Sequence, residues 1–257
     1  MIQLKNPSEL EKMRKACALS AAALKAGGEA IEPGISTWEI DKIIYNFIVK
    51  HGGKPNFKGL YGFPGTACIS VNDVIIHGIP NHSQIIRSGD IVSIDTGAII
   101  EGFNGDNACT FACGKVDSEA QRLMDVTKQA LHLGIAQAAA GNRVGDISAA
   151  VQRYVEENGF SIVREYVGHG VGRALHEDPE VPNYGRAGHG PRLVNGMTLA
   201  IEPMVNQFGA AVKTDPDGWA VHTKDGGLAA HFEHTVAITP NGPEVLTLGW
   251  EDPEWTL

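Results

Sequence analysis

The chain has 257 residues, of which 43% are hydrophobic and 20% charged. These are ordinary fractions for a soluble globular protein, and they exclude the disordered and fibrous classes. Twenty-one Lys and Arg against 30 Asp and Glu leave a net charge of −9, which argues against a nucleic-acid backbone as the main partner. No apolar run approaches the ~18 residues of a membrane helix. The charged start MIQLKNPSELEKMRKA lacks an apolar signal segment, so a cytoplasmic protein with no membrane partner is expected. Cys17, Cys68, Cys109 and Cys113 form no CxxC pair and read as reduced thiols.

Apolar spacing predicts a helix over 8–27, with Leu10, Met13, Cys17 and Leu24 on one face. A second helix is predicted over 37–50, with Ser36 or Thr37 as its N-cap and Ile40, Ile44 and Phe47 turned inward. Short β-branched runs predict strands over 66–71, 74–77, 91–99 and 102–111. The order then repeats, with helices near 117–140 and 145–158 and strands near 161–167, 197–203, 208–214 and 231–238. The stretch 176–193, HEDPEVPNYGRAGHGPRL, is rich in Pro and Gly and reads as a loop.

One offset relates the two sets. A shift of 107 lays GISTWEIDKIIYNFIVKHG (34–52) over GNRVGDISAAVQRYVEENG (141–159), and SGDIVSID (88–95) over NGMTLAIE (195–202). Asp95 then meets Glu202. Two related halves, about 8–113 and 117–240, are expected to share one core in a single domain spanning 1–257. Strand runs alternating with helix pairs predict an α+β fold with a mostly antiparallel sheet.

The acidic residues stand where strands should not want them. Asp95 ends the apolar run IVSID, and Asp106 follows in EGFNGDNACTFAC. A tight turn at Ile100-Glu101 sets the two carboxylates directly opposite each other, whereas a turn at Glu101-Gly102 makes them diagonal neighbours on the same face. Either register leaves their Cβ atoms about 5–8 Å apart. Like charges that close repel, and a cation is the simplest compensation. Glu202 inside TLAIEPMV and Glu233 inside AAHFEHTVAIT add two more carboxylates in apolar strands. Four carboxylates converging on a pseudo-twofold axis form a hard, oxygen-rich site for one or two divalent cations. His169 stands between glycines in EYVGHGVG, read as lying just after a strand, where the glycines leave its ring accessible. His176 follows seven residues later, and His77 ends a strand in IIHGIP. No Ser-His-Asp or Cys-His spacing supports a nucleophile at Ser70, Ser93 or Cys68.

VNDVIIHGIP, GDIVSIDTGAIIEGFNGDNACTF, VGHGVGRALHEDP, GMTLAIEPM and FEHTVAIT resemble, in order and spacing, the signature blocks of type I methionine aminopeptidases of the bacterial type. The resemblance runs from about residue 5 to 248. It implies the pita-bread fold, two pseudo-symmetric halves with a curved, mostly antiparallel sheet around a dinuclear metal site. It implies that Asp95 chelates one metal, that Asp106 and Glu233 bridge both, and that His169 and Glu202 bind the other. His77 is then expected to touch the substrate near the scissile amide, and His176 to steady the carbonyl oxygen. The methionine cleft would involve Phe57, Leu60, Phe63, Cys68, Leu175 and Trp219. Relatives often carry aromatic or cysteine side chains where Phe57 and Leu60 stand, and an aromatic in place of Leu175. The implied activity is removal of an N-terminal methionine before a small second residue, by a metal-bridging hydroxide with Glu202 handling the proton. The implied cofactors are two divalent ions, with Mn, Fe, Co and Zn all compatible with the ligand set. A monomer is expected, and the ribosome is the macromolecular partner left open. X-Pro peptidases of the same fold usually carry a large additional N-terminal domain, type II methionine aminopeptidases an inserted subdomain, and eukaryotic type I forms a zinc-binding extension. None of these is expected here. A metal-free binding protein on this scaffold would have lost ligands, and all five are present. Trp250 and Trp255 lie in the acidic tail GWEDPEWTL, with no function assigned.

Overall fold

A computed structural model of the chain describes residues 1–249. Trp250 and Trp255 therefore lie outside the described residues. The first half contains helices α1 (Pro7–Glu29) and α2 (Thr37–Lys50) and strands β1 (Lys54–Pro55), β2 (Ala67–Val71), β3 (Val74–Ile76), β4 (Ile91–Ile100) and β5 (Phe103–Ala112). The second contains helices α3 (Ser118–Ala136) and α4 (Val144–Glu157). Its strands are β6 (Ser161–Ile162), β7 (Gly168–Gly170), β8 (Glu177–Val181), β9 (Thr198–Ile201) and β10 (Met204–Asn206), followed by β11 (Val212–Thr214), β12 (Val221–Thr223), β13 (Ala229–His231), β14 (Glu233–Thr239) and β15 (Gly242–Val245).

Helix starts follow from local chemistry. Asn6 and Ser36 each close a capping box with the Glu three residues on, and Pro7 occupies the first turn of α1. Ser36, not Thr37, is the cap of α2. Asp117 accepts from the Ala120 amide at the start of α3.

A nine-stranded sheet runs β1-β4-β5-β14-β9-β7-β8, with β2 also on β4 and β15 also on β14. Every pairing in it is antiparallel. Two three-stranded sheets, β13-β10-β6 and β11-β12-β3, complete the fold. Helix α1 packs on β4 and β5, and α3 on β9, β10, β13 and β14, each with its partner helix beside it. One apolar cluster joins both halves, from Ile44 and Ile94 through Leu131 and Val151 to Ile201 and Val236.

The 107-residue offset is visible in the backbone. Helices α2 and α4 begin and end at positions related by it, as do the isolated bridges Ser36–Ile85 and Arg143–Arg192. Paired glycines share left-handed torsions, with φ of 103° and 100° at Gly34 and Gly141.

The structure corrects several sequence expectations. The loop expected over 176–193 contains β8, which extends the large sheet from β7. The strand expected at 197–203 is two strands, because β9 pairs with β14 while β10, beyond Pro203, pairs with β13 in a different sheet. Phe232 marks the matching break between β13 and β14. A proline cannot donate to a ladder, so Pro203 suits the point where the chain changes sheets. Strands expected at 161–167 and 208–214 shrink to β6 and β11.

Gly105 shows how closely helix and sheet approach. A Cβ there would lie 2.6 Å from the Ala16 carbonyl group and from the Cys17 nitrogen on α1. Both are backbone, so they can move only with the helix. Gly105→Ala is expected to cost about 1–3 kcal/mol and to lower Tm by roughly 2–10 °C in a thermal melt.

Candidate metal centre and substrate cleft

The β4–β5 hairpin turns at Glu101 and Gly102, with φ of 50° and 80°, which suit a two-residue primed turn. Ile100 therefore faces Phe103, Asp95 faces Ala108, and Asp106 faces Gly97. Of the two registers open from the sequence, the diagonal one holds. Ala108 faces Asp95 on one side and Glu233 of β14 on the other. A small side chain thus sits between two carboxylates, with Asp106 two residues away on the same face. On the far side, His169 of β7 pairs with Ala200, two residues before Glu202. The Glu202 backbone is held by Asn183, whose side-chain amide donates to its carbonyl at 3.0 Å.

Single ligand atoms of Asp106, His169 and Glu233 lie within 4.8 Å of one another. His169 Nε2 is 3.6 Å from Asp106 Oδ2 and 3.5 Å from Glu202 Oε1. Its Nδ1 meets the Gly170 carbonyl at 2.8 Å. A carbonyl only accepts, so the proton sits on Nδ1 and the Nε2 lone pair faces the carboxylates. The flanking glycines have a different reason from the one read in the sequence, and His169 lies within β7 rather than after it. A Cβ at Gly168 or Gly170 would come 2.3 Å from the carbonyl oxygen of Ala200 or Asp178. The glycines let neighbouring backbone close around the imidazole.

The electrostatics of this cluster without a cation are costly. Burial and mutual repulsion push Asp106 and Glu233 well above the usual carboxylate range, and burial does the same to Glu202. Asp95 is pushed up to about 7, chiefly by burial. Burial also holds His169 down at about 4, so its ring is neutral and able to ligate. Asp95 Oδ1, Asp106 Oδ1 and Glu233 Oε1 are buried without hydrogen-bond partners. Orphaned carboxylate oxygens around one neutral imidazole fit a hard divalent cation.

All five of these residues line a cavity of about 940 Å3. Phe57, Phe63, Cys68 and Leu175 form one apolar cluster on its wall, with Leu60, Trp219 and Ile79 packed against it. His77, at φ 60°, presents its ring edge-on to Trp219 and to Tyr166, with centroids 6.4 and 5.7 Å apart. Burial lowers His77 to about 4. His176 lies at the exposed rim, its ring 4.5 Å from that of His169. Ile79, Tyr166 and His231 were not singled out in the sequence. His231 stands two residues before Glu233, and that period-two spacing is the signal that could have found it.

A model of metallopeptidase family M24 matches residues 11–240. The chain belongs to that family. Within M24 it falls with the methionine aminopeptidases, which are metallo-exopeptidases. It is 55% identical to the methionine aminopeptidase of Clostridium perfringens, over 96% of this chain and 99% of the relative. The crystal structure of the Thermotoga maritima methionine aminopeptidase superposes with a TM-score of 0.95 at 46% identity, over 96% of this chain and 99% of that one. The Pyrococcus furiosus prolidase shares the fold at a TM-score of 0.79 and 24% identity, this chain spanning 65% of its length. The M24 chain has the pita-bread fold of these neighbours.

For the M24 site, cation binding must displace protons held by the raised carboxylates. The folded-state pKa of Asp95 lies above its ordinary 3.8. Its contribution to metal-free stability is therefore complete below that ordinary value and is lost as pH rises through about 7. The rise in Tm produced by Mn2+ is expected to grow from about pH 5 to about pH 8 in thermal-shift assays. Asp106→Asn removes one of the crowded charges. The metal-free Tm of this variant should stay within about 3 °C of wild type or exceed it, while the Mn2+ gain disappears.

Proposed function

We propose that the cavity binds the first residue of a peptide or nascent protein and cuts the bond that follows it, releasing methionine when the second residue is small. The observation that carries this reading is that one cavity joins the acidic cluster to the apolar cluster. Phe57, Leu60, Phe63, Cys68, Leu175 and Trp219 would receive the methionine side chain, whose thioether suits aromatic edges. Asp95 would hold one divalent ion, His169 and Glu202 a second, and Asp106 and Glu233 both, with Mn, Fe, Co and Zn all compatible. Such ions, when bound, supply Lewis acidity that lowers the pKa of water and offer a docking point for a free α-amine.

The chain's own groups do the rest. Glu202 lines the cavity, where its carboxylate could take a proton from the attacking water and return it to the leaving amine. His176 stands at the rim with its basicity lowered by partial desolvation, and its ring can donate an N–H to the carbonyl oxygen as charge develops. His77, wedged between Trp219 and Tyr166, would touch the scissile amide. The whole chain would act as one catalytic domain and as a monomer in the cytoplasm, with nascent chains at the ribosome as its substrate source. Among the described residues no helix is long and apolar enough to cross a membrane.

The test compares Met-Ala-Ser with Ala-Pro peptides, with and without chelator. Cleavage of the first alone, abolished by chelation and restored by Mn2+ or Co2+, is the expected result. Asp106→Ala should lower kcat/KM about a thousandfold or more. Cleavage of Ala-Pro in preference would favour the X-Pro branch of the fold, and retained turnover in Asp106→Ala would remove the ligand assignment.

A further inference from the structure

We propose that His231 is a positioning residue that fixes the carboxylate of Glu202 by donating its Nε2 proton to Oε2. This assignment rests on the metallopeptidase reading of the site and adds a residue to it. The His231 side chain is almost fully buried, and its Nε2 has no hydrogen-bond partner. Glu202 Oε2 lies 3.6 Å from it. The other oxygen of the same carboxylate, Oε1, lies 3.5 Å from His169 Nε2. Glu202 is therefore spanned by two imidazoles, one on each oxygen. The two rings differ in what they can do. The Nδ1 of His169 is tied to the Gly170 carbonyl, which leaves its Nε2 as a lone pair toward the cavity. His231 does not line the cavity, whereas Glu202 does. His231 thus reaches Glu202 from behind, where it can hold the carboxylate but is poorly placed to meet substrate.

The backbone of His231 is fixed independently of its ring. Its N–H donates to Thr110 Oγ1 at 2.9 Å, and the same hydroxyl donates to the His231 carbonyl at 2.9 Å. Ser93 Oγ, at 2.8 Å, supplies a further partner for Thr110. Ser93 and Thr110 are register partners on β4 and β5, the strands that carry Asp95 and Asp106. The anchor of His231 is therefore built into the hairpin that presents the first-half carboxylates. Its ring acts on Glu202, which the second half presents. An imidazole nitrogen that carries a proton can donate it to a carboxylate oxygen, and a carboxylate oxygen can only accept. A buried Nε2–H left without an acceptor would forfeit a hydrogen bond, and Oε2 needs only a few tenths of an ångström to supply one. With Oε2 held, the carboxylate plane is set and Oε1 stays turned toward His169. Groups that orient a ligating side chain in this way typically change metal affinity about 10–100-fold when removed.

The experiment uses the full-length protein and two substitutions. His231→Met keeps the volume and loses the donor, and His231→Gln restores an N–H on a chain of similar reach. Mn2+ is titrated into metal-free wild type and both variants by calorimetry. Far-UV circular dichroism and metal-free Tm report on folding, and kcat and KM are measured on Met-Ala-Ser. His231→Met is expected to raise the Mn2+ Kd about 10–100-fold and to lower kcat with little change in KM, while His231→Gln stays within about threefold of wild type. Wild-type Kd and kcat in His231→Met overturn the assignment, and so does a folded His231→Gln as impaired as His231→Met. If His231→Met does not fold, a folded His231→Gln with wild-type Kd supports the donor role and one with a Kd raised about tenfold or more overturns it. Absence of Mn2+ binding by wild type overturns the metal reading and this assignment together, whereas wild-type binding insensitive to residue 231 overturns this assignment alone.

Discussion

Four carboxylates held in one buried cluster constitute the constraint on which this molecule turns. Left to themselves Asp95, Asp106, Glu202 and Glu233 raise one another's proton affinity and lose hydration. A fold that brings them together must supply rigidity enough to resist that repulsion. It does so with ladders on both sides. The β4–β5 hairpin is paired over ten residues of each strand, and α1 lies directly against its backbone at Gly105. Ala108, faced by Asp95 and Glu233 in adjacent strands, keeps the space between them open. His169 enters on a strand whose glycines let two neighbouring carbonyl groups close around it. The cost of crowding is offset only when a cation occupies the centre, so stability and activity draw on the same geometry.

Much of this was legible in the sequence, for identifiable reasons. Asp95 and Asp106 flank a short turn, and either candidate register puts both on one face, so their proximity did not depend on which one holds. The 107-residue offset was legible because it joins a helix and a strand in each half, and the helices α2 and α4 keep it to the residue. The five resembling blocks then pointed to the candidate ligands, and the resemblance as a whole to the apolar residues that the structure clusters on the cavity wall. What stayed hidden has physical causes. Strand β8 lies in a stretch whose Pro and Gly content argues for a loop, yet it needs only the edge offered by β7 to form. The change of sheet at Glu202-Pro203 depends on the partners β10 and β13 choose, which local pattern does not encode. His231 carried no signal of its own, because its significance lies in the 3.6 Å to a carboxylate 29 residues away in the chain.

The same break explains why the two halves differ in detail. In the first half Asp95 sits mid-strand, its β4 ladder running unbroken from Ile91 to Ile100. In the second, Glu202 and Glu233 stand where the paired chains pass from one sheet into another. Glu202 lies outside the continuous ladder, between β9 and β10, and draws support from its surroundings. Asn183 holds its backbone, and two imidazoles bracket its carboxylate. The group proposed to ligate and to carry a proton thus stands where the chain changes sheets, with polar neighbours on its backbone and on both carboxylate oxygens.

The candidate ligands are divided between the halves, Asp95 and Asp106 coming from one and His169, Glu202 and Glu233 from the other. An ion shared among them ties segments 63 residues apart, from Asp106 to His169, into a closed loop. Because such an ion binds the folded arrangement and not the dispersed chain, it weights the equilibrium toward the closed form in proportion to its free concentration. Chelation therefore does more than silence the reaction: it removes one of the links across the seam, leaving the β5–β14 pairing and the shared apolar cluster to hold the two halves together.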